Sequence, residues 1–277
     1  MELKYLLYQT EEFKSCKEFS DMLGRLKKQK ALPLGTVELK SVADSALFLG
    51  HHPDLLQQMR SRGIATLACD LSKKNLHDPI PELRKESVIV EGFADLDEDF
   101  LTEQYQRFHG IPWTVFTTDR CVVRELSLSD LPALFTLYQK PHMTDYIEPL
   151  LDRDEELEYQ RAYIKNIYHF YGFGMWLVFE KKSGILIGRA GLEPKEEGIE
   201  LGYMIAPEFQ NRGYAFEVCE GVLRYGREKL ELDNFQCCID PNNRASIGLA
   251  QKLGFVHVGK MHMGKKEFEK FILYSKH

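Results

Sequence analysis

The chain has 277 residues, of which 44% are hydrophobic and 28% are charged, a composition typical of a globular protein with about two domains. Its formal net charge is −6 and it has no long basic block, which disfavours nucleic acid as the main partner. No apolar run approaches the ~20 residues that cross a bilayer. The N-terminal residues also lack the pattern of a signal peptide, so we expect no membrane partner.

The cysteines of the chain are scattered, and none of them belongs to a C-x-x-C pair. This spacing favours neither a disulfide framework nor a zinc site. We therefore expect reduced thiols, a cytoplasmic protein and no bound metal. The cysteines are Cys16, Cys69, Cys121, Cys219, Cys237 and Cys238.

The first predicted domain covers residues 1–116, where short apolar strands alternate with helices. One helix has Pro53 in its first turn and Gly63 as its C-terminal stop. Strand, helix and strand at this spacing predict a small α/β module with a parallel sheet. Residues 111–119 are predicted to be a linker. The predicted helices are 14–30, 52–63 and 97–110, and the predicted strands are 45–50, 64–70 and 86–93.

The second predicted domain covers residues 120–277 and mixes hairpins with helices. It opens with a strand, and Ser129 or Asp130 then caps a helix. A longer helix over 153–170 precedes a hairpin whose turn lies at 182–184. The remaining elements, in chain order, are a strand at 198–207, a helix from about 214, a strand at 234–240, a helix at 242–254 and two closing strands.

Small residues crowd the predicted helix start that follows the strand ending at Pro207. The stretch reads Q-N-R-G-Y-A over residues 210–215. A helix start leaves backbone N–H groups unpaired and partly positive, and Gly213 and Ala215 place no bulky side chain over them. Arg212 adds a mobile cation, so the stretch predicts a phosphate-binding loop made of backbone. The alternative is that the glycine only serves a tight turn.

This stretch and a second motif, N-N-R-A-S-I-G-L-A-Q-K-L-G-F at 242–255, resemble the GNAT superfamily of acyl-CoA-dependent N-acyltransferases. The resemblance covers residues 120–277 and looks closest to the branch that acetylates ribosomal-protein N-termini and similar amines. It implies an α/β (α+β) fold with a central, mixed, splayed sheet flanked by helices. It also implies acetyl-CoA as co-substrate and a primary amine as acceptor, on a small molecule or a protein N-terminus, with direct attack while both substrates are bound.

The resemblance assigns cofactor-binding roles to three groups of residues. The backbone N–H groups from Asn211 to Phe216 would hold the pyrophosphate of coenzyme A. The strand around Met204 would bond the pantetheine amides, and Asn243 would contact the pantetheine arm. The full implied set is Tyr203, Met204, Ile205, Gln210, Asn211, Arg212, Gly213, Tyr214, Ala215, Phe216 and Asn243.

The chain departs from part of the family at the proton donor to the leaving thiolate. Many relatives carry a tyrosine four residues before the glycine of the second motif, and Ala250 occupies that position here. Three other tyrosines are candidates to replace it, and the sequence does not rank them. They are Tyr203, Tyr214 and Tyr274.

A base must also remove a proton from the amine. We favour Glu200, at the start of the strand that leads to the phosphate-binding loop, and place Glu193 second. The alternative for Glu200 is a solvated charge on a strand edge. A covalent role for the adjacent Cys237 and Cys238 is disfavoured, because one of two successive strand residues points into the core.

The acceptor cleft is predicted from the segment between the first two helices of the second domain. Its acidic residues would suit a cationic amine, although a solvated run of charges is the equal alternative. Aromatic residues are candidates for the pocket wall or for the core. The acidic candidates are Asp145, Glu148 and Asp152, and the aromatic ones are Tyr168, Tyr171 and Trp176.

The first domain resembles a degenerate half of a haloacid-dehalogenase-like domain. The stretch from Gly50 to Asp54 resembles the start of the family's Gly-Asp-x-x-x-Asp motif with His51 in place of the first acid, and residues 1–40 supply no Asp-x-Asp strand. We therefore expect no phosphatase activity. We also expect the sheet to lack its central strand and to expose an edge that a second copy of the chain, as in a homodimer, or the second domain covers.

Two functions from different classes remain open at this level. The first is an acetyl-CoA-dependent N-acetyltransferase. The second is a catalytically weak acyl-CoA-binding sensor or scaffold protein, which the alanine at position 250 favours. Release of thiol from acetyl-CoA in the presence of amines would distinguish them.

Overall fold

A computed structural model of the chain divides into two compact units, Met1–Trp113 and Thr114–His277, and each is described by itself. The structure describes residues 1–9, 13, 16–71, 83, 86, 88–94, 96–264 and 266–274. Residues 14, 15 and 87 belong to elements predicted above and lie outside this described set.

The first unit is a five-stranded parallel sheet with helices between its strands. The strands are β1 (Tyr5–Tyr8), β2 (Lys30–Pro33), β3 (Ala46–Gly50), β4 (Ala65–Cys69) and β5 (Ile89–Val90). The helices are α1 (Lys17–Arg25), α2 (Leu39–Val42), α3 (Pro53–Ser61) and α4 (Glu98–Phe108). The strand order is β2-β1-β3-β4-β5, and each neighbouring pair is parallel.

The prediction that this sheet lacks a central strand is wrong. β1 lies between β2 and β3, and its Leu6 and Leu7 are completely buried. The strand was missed because four residues beside the acidic N-terminal segment give too short a periodic pattern. The observed order is that of doubly wound sheets of the flavodoxin type. The resemblance to half of a haloacid-dehalogenase-like domain stays a prediction.

The second unit is an eight-stranded mixed sheet. The strands are β6 (Thr114–Thr117), β7 (Cys121–Arg124), β8 (Met175–Glu180), β9 (Leu186–Lys195), β10 (Gly198–Ile205), β11 (Phe235–Ile239), β12 (Val256–Met263) and β13 (Lys266–Leu273). The helices are α5 (Leu131–Tyr138), α6 (Arg153–Tyr163), α7 (His169–Tyr171), α8 (Tyr214–Glu228) and α9 (Arg244–Lys252). The strand order is β12-β13-β11-β10-β9-β8-β7-β6.

The predicted linker at 111–119 is wrong in its second half, because β6 forms the edge of this sheet. Phe116 in β6 packs against Trp176 and Tyr225. Its ring centroid lies 6.3 Å from that of Trp176 and 6.2 Å from that of Tyr225. Trp176 is completely buried. The strand therefore belongs to the core of the second unit, and its four residues gave no clear periodic signal in the sequence.

One pair of neighbouring strands in this sheet runs parallel, and it separates almost at once. β10 and β11 pair only through Ile199 with Phe235 and Glu200 with Gln236. Beyond Glu200, β10 stays paired with β9 on its other side. The sheet is therefore mixed and splayed, as predicted.

The described residues include no helix that is both long and apolar enough to cross a membrane.

The position of Phe116 leads to a prediction about fragments. A fragment of residues 114–277 keeps β6, whereas one of residues 118–277 removes it. We expect the shorter fragment to lose about 3 kcal/mol or more of unfolding free energy, because deleting a packed aromatic side chain leaves a cavity. Urea denaturation of both fragments measures the difference. Equal midpoints would show that β6 is not part of the folding unit.

Candidate active site

The gap between β10 and β11 exposes backbone groups of β10. The N–H of Ala206 donates to the carbonyl of Ile187, so that N–H points toward β9. Because successive residues of a strand direct their N–H and C=O groups to opposite sides, Tyr203 and Ile205 turn theirs toward the gap. The amide of Met204 faces β9, whereas Tyr203 and Ile205 have their backbone groups on the side that the predicted role requires. The carbonyl of Ile205 accepts a hydrogen bond from the Gln210 side chain at 2.8 Å.

A cavity of about 530 Å³ lies at the open end of this gap. Its wall also includes three residues that sequence reasoning gave no role, His142, Ser246 and Lys252. The predicted cofactor-binding residues on its wall are Tyr203, Met204, Ile205, Gln210, Asn211, Gly213, Ala215, Phe216 and Asn243.

Two residues of the predicted set are not on this wall. Tyr214 is buried, and its hydroxyl donates to Oε1 of Glu180 at 2.7 Å. Arg212 is exposed, and its guanidinium lies 5.5 Å from the ring of Phe209. The structure therefore brings nine of the eleven predicted residues together.

The start of α8 is open toward the cavity. Gly213 is its N-cap, with φ of 81°, and no side chain caps the helix. Asn211, two residues earlier, also has a positive φ of 57°. A Cβ placed on Gly213 would have only the Arg120 guanidinium, at 3.4 Å, within van der Waals reach. The left-handed backbone therefore favours glycine at position 213, and a side chain there would lie beside Arg120.

The start of α9 faces the same cavity. The Asn243 side chain accepts a hydrogen bond from the N–H of Ser246 at 3.1 Å and so caps the helix. The Tyr203 hydroxyl is buried and finds no partner with full hydrogen-bond geometry in the part of the chain that the structure describes. Ser246 is the polar side chain beside it. Two hydroxyl groups therefore meet at this wall of the cavity.

The structure separates the three tyrosines that were candidates to replace the missing proton donor. Tyr274 is 54% exposed at the end of β13, and Tyr214 is bound to Glu180 away from the cavity. Only Tyr203 among the three lines the cavity. Ala250 is buried one helical turn after Ser246, on the same face of α9.

The two candidate bases lie directly opposite each other on β9 and β10. Glu193 forms an ion pair with Lys195, with Oε2 and Nζ 3.0 Å apart. Burial raises the pKa of Glu200, and the charge of Glu193 adds to this while Lys195 opposes it. Glu200 belongs to the last pair of residues that joins β10 to β11, so its carboxyl group lies where the gap begins.

The adjacent cysteines divide between the two faces of β11. Cys237 is buried, and its thiol lies 3.7 Å from the carbonyl oxygen of Leu201. Cys238 is partly buried and contacts Met261, with the two sulfur atoms 3.0 Å apart. Burial, and next the charge of Glu200, raise the pKa of Cys238 to about 11. The thiol is therefore protonated at neutral pH, which is unsuited to a nucleophile.

A second cavity, of about 400 Å³, lies beside Glu193. Its wall includes Tyr159, Tyr163 and Tyr171, which recur along α6, a π-helical turn (Ile164–Tyr168) and α7. The Tyr163 hydroxyl accepts from the N–H of Met175 at 2.8 Å and lies 3.5 Å from Oε1 of Glu193. The tyrosine spacing was a readable sequence signal, but only Tyr171 was named as a candidate.

Apart from Tyr171, the residues predicted for the acceptor cleft do not line this second cavity. Asp145 lines the first cavity instead and pairs with His142 at 2.9 Å. Glu148 is highly exposed and lies 3.6 Å from Lys266. Asp152 is exposed, and Tyr168 and Trp176 are completely buried in the core.

Among the described residues, no cluster of three or more His, Cys, Asp or Glu side chains could hold a metal ion. All six cysteines are free thiols.

Comparison with known proteins agrees with this architecture. Residues 120–256 match the family model described as an acetyltransferase (GNAT) domain. The uncharacterized protein YkkB of Bacillus subtilis is 31% identical over 152 residues, which are 53% of this chain and 87% of that protein. The [ribosomal protein uS5]-alanine N-acetyltransferase of Escherichia coli is 28% identical over 160 residues, which are 54% of this chain and 81% of the enzyme.

Solved structures show the same fold. The crystal structure of an acetyltransferase from Agrobacterium tumefaciens aligns with a TM-score of 0.50 and 23% identity. The alignment covers 58% of this chain and 94% of that one. The chain belongs to the GNAT acetyltransferase family, and it is an N-acetyltransferase.

The environment of Glu200 predicts how stability depends on pH. Its folded-state pKa is raised, so the folded protein binds a proton more readily than the unfolded chain, and ionising Glu200 destabilises the fold. We expect Glu200→Gln to raise the unfolding free energy at pH 7. The gain should shrink as the pH falls through the raised pKa and disappear below the ordinary carboxyl value of 4.5, where both states are protonated.

Urea denaturation of the variant and the wild type at pH 7 and near pH 4 measures this. Glu193→Gln is the comparison, because it relieves the repulsion with Glu200 but also removes the ion pair with Lys195, so its gain at pH 7 should be smaller. A Glu200→Gln protein less stable than the wild type at pH 7 would contradict the expected burial penalty.

Proposed function

We propose that this protein transfers the acetyl group of acetyl-CoA to a primary amine, with both substrates bound together. The observation that carries the proposal is the gap between β10 and β11, onto which the starts of α8 and α9 converge. Such a gap offers backbone groups to the amides of an extended ligand, while the helix starts offer N–H groups to its phosphates. The family membership of the chain supports the same reaction.

The residues of the first cavity fit coenzyme A. The unblocked backbone between Asn211 and Phe216 suits the pyrophosphate, and Lys252 supplies a cation beside Phe216, with its ammonium 4.5 Å from the ring. Tyr203 and Ile205 offer backbone groups to the pantetheine amides. The cavity volume of about 530 Å³ is in the range of small-molecule and cofactor sites.

We assign the base to Glu200 and the proton donor to Tyr203. The raised pKa of Glu200 brings it closer to neutral pH, which favours proton transfer, and a water molecule can connect it to the amine. The Tyr203 hydroxyl, beside Ser246, would protonate the leaving thiolate in place of the tyrosine that Ala250 replaces. Glu193 stays the second candidate for the base.

The second cavity is proposed to receive the amine. Its tyrosine rings suit a cationic group, and Glu193 supplies a carboxylate. The relative from Escherichia coli is named for an alanine of ribosomal protein uS5, so a protein amine such as an N-terminus is one acceptor class to test. Amine-bearing small molecules are the other class.

The chain is proposed to have two domains, and their boundary is taken from the compact units described above. The second domain carries the acetyltransferase chemistry. The first is proposed as a structural, dimerising or substrate-recruiting module. Six free thiols support a cytoplasmic protein, and the homodimer stays a prediction.

The function is tested by acetyl-CoA-dependent release of thiol across a panel of amines. The panel should include peptides with free N-terminal alanine or serine, polyamines and aminoalkyl metabolites. We expect turnover that requires one amine class, with stoichiometric acetylated product detected by mass spectrometry. Tight binding of coenzyme A without transfer to any amine of the panel would favour the sensor or scaffold protein.

The phosphate-binding loop is tested by a matched pair of variants. Asparagine and aspartate both tolerate left-handed backbone, so Gly213→Asn and Gly213→Asp differ mainly in charge. We expect the aspartate to weaken coenzyme A binding by about 100-fold relative to the asparagine, because its carboxylate adds a negative charge to the loop that would hold the pyrophosphate. Calorimetry measures both affinities. Equal affinities in folded variants would place the phosphates elsewhere.

The base is tested by kinetics once an acceptor is known. We expect Glu200→Gln to lower kcat by about 10²–10⁴-fold with unchanged affinity for acetyl-CoA, because the amide cannot accept the proton. Glu193→Gln is the comparison. If Glu193→Gln loses the rate and Glu200→Gln keeps it within about threefold, the base is Glu193.

A further inference from the structure

The loop that precedes α8 depends on a side chain from a distant part of the chain. Asn211 and Gly213 both have left-handed backbone, on either side of Arg212. Such backbone is held in place only when surrounding contacts support it. No side chain caps α8, so the contacts that support this left-handed backbone must come from another part of the chain.

Arg120, directly before β7, makes these contacts. Its Nη1 atom donates to the carbonyl oxygen of Arg212 at 2.9 Å. Its Nε atom donates to Oε2 of Glu217 at 2.5 Å, and its own backbone N–H donates to Oε1 of Glu217 at 2.9 Å. Its guanidinium carbon lies 4.1 Å from the ring centre of Tyr214. One side chain therefore joins the loop, the first helical residue and the first turn of α8.

The hydrogen bond to the Arg212 carbonyl fixes the orientation of the peptide group between Arg212 and Gly213. In a trans peptide the C=O and the following N–H point to opposite sides. Because the carbonyl of Arg212 points at Arg120, the N–H of Gly213 points away from Arg120. Gly213 itself lines the first cavity. The hydrogen bond thus orients a backbone donor of the phosphate-binding loop.

The charge of Arg120 is largely engaged by Glu217, which pairs with the guanidinium through Oε2 and accepts from the backbone N–H of Arg120 through Oε1. The main effect of Arg120 on a bound anion is therefore expected through geometry and less through its own field. Lysine would keep the charge but lose the planar fork that contacts Arg212 and Glu217 together.

We propose that Arg120 is a positioning residue, which holds the loop so that its N–H groups meet the pyrophosphate of coenzyme A. The inference rests on the proposed function, because it requires that the pyrophosphate binds at this loop. Arg120 does not line the cavity and so acts through the backbone of Arg212 and Gly213.

Arg124, the last residue of β7, provides a matched control. It forms a two-point ion pair with Asp130, at 2.6 and 2.8 Å, and stacks on Phe179 at 4.2 Å. Arg124 therefore makes the same kinds of contact as Arg120, but its ion pair is with a residue at the start of α5. Substituting Arg124 therefore reproduces the loss of an arginine, an ion pair and a ring contact without touching the loop.

The experiment compares two ligands in the full chain, coenzyme A and pantetheine, which lacks the pyrophosphate. Affinities are measured by calorimetry or by titration followed by NMR for Arg120→Lys, Arg120→Gln, Arg124→Lys and Arg124→Gln. We expect both Arg120 variants to lose about 10- to 100-fold in affinity for coenzyme A, the scale of a lost hydrogen bond to a charged group. Their affinity for pantetheine should stay at the wild-type value.

The outcomes are distinguishable. If Arg120→Lys keeps the wild-type affinity for coenzyme A while Arg120→Gln loses it, Arg120 acts by charge and the positioning role is overturned. Equal losses for coenzyme A and pantetheine, or the same selective loss in the Arg124 variants, would indicate a general structural role and also overturn it. A wild-type protein that binds both ligands equally would instead overturn the proposed pyrophosphate site itself.

Discussion

The early separation of β10 and β11 is the constraint on which the rest of the second unit depends. Two parallel strands that stay joined only as far as Glu200 leave backbone groups of Tyr203 and Ile205 turned toward a gap. Buried backbone groups need partners, so a gap of this kind favours an extended ligand with amides of its own. Because the strands are parallel, both carboxyl ends lie at the same edge, and the helices that follow them begin there. The starts of α8 and α9 therefore meet at one cavity.

The same geometry gives the two ends of the gap side chains and backbone groups of opposite charge. At the open end, backbone donors and Lys252 form a surface suited to anions. At the closed end, Glu200 and Glu193 lie opposite each other, and Lys195 pairs with Glu193. Glu200 forms no ion pair with any described residue, and burial raises its pKa. Phosphates and a cationic amine would therefore approach from regions of opposite charge, which is a physical reason for two substrates to occupy the site in one orientation.

Part of the fold and of the site could be predicted because it depends on short sequence patterns. The helix starts at Gly213 and Asn243 carry glycine, asparagine and small residues at recognisable spacings, and their predicted positions match the structure. The strands β1 and β6 were missed, since four residues are too few for periodicity to distinguish them from loops. The sequence also did not indicate that Tyr159 and Tyr163 of α6 share a cavity wall with Tyr171, because the π-helical turn between them changes the helical spacing.

The sequence by itself determined the family resemblance, the order of elements in the second unit and the loop that begins α8, because each depends on neighbours along the chain. Only the tertiary structure decided which of the three candidate tyrosines lines the cavity, that Met204 directs its amide into the sheet and that Arg120 contacts a loop 92 residues away. These features depend on strand register and on contacts between elements far apart in sequence. Such contacts are set by packing of the whole sheet, and no local pattern encodes them.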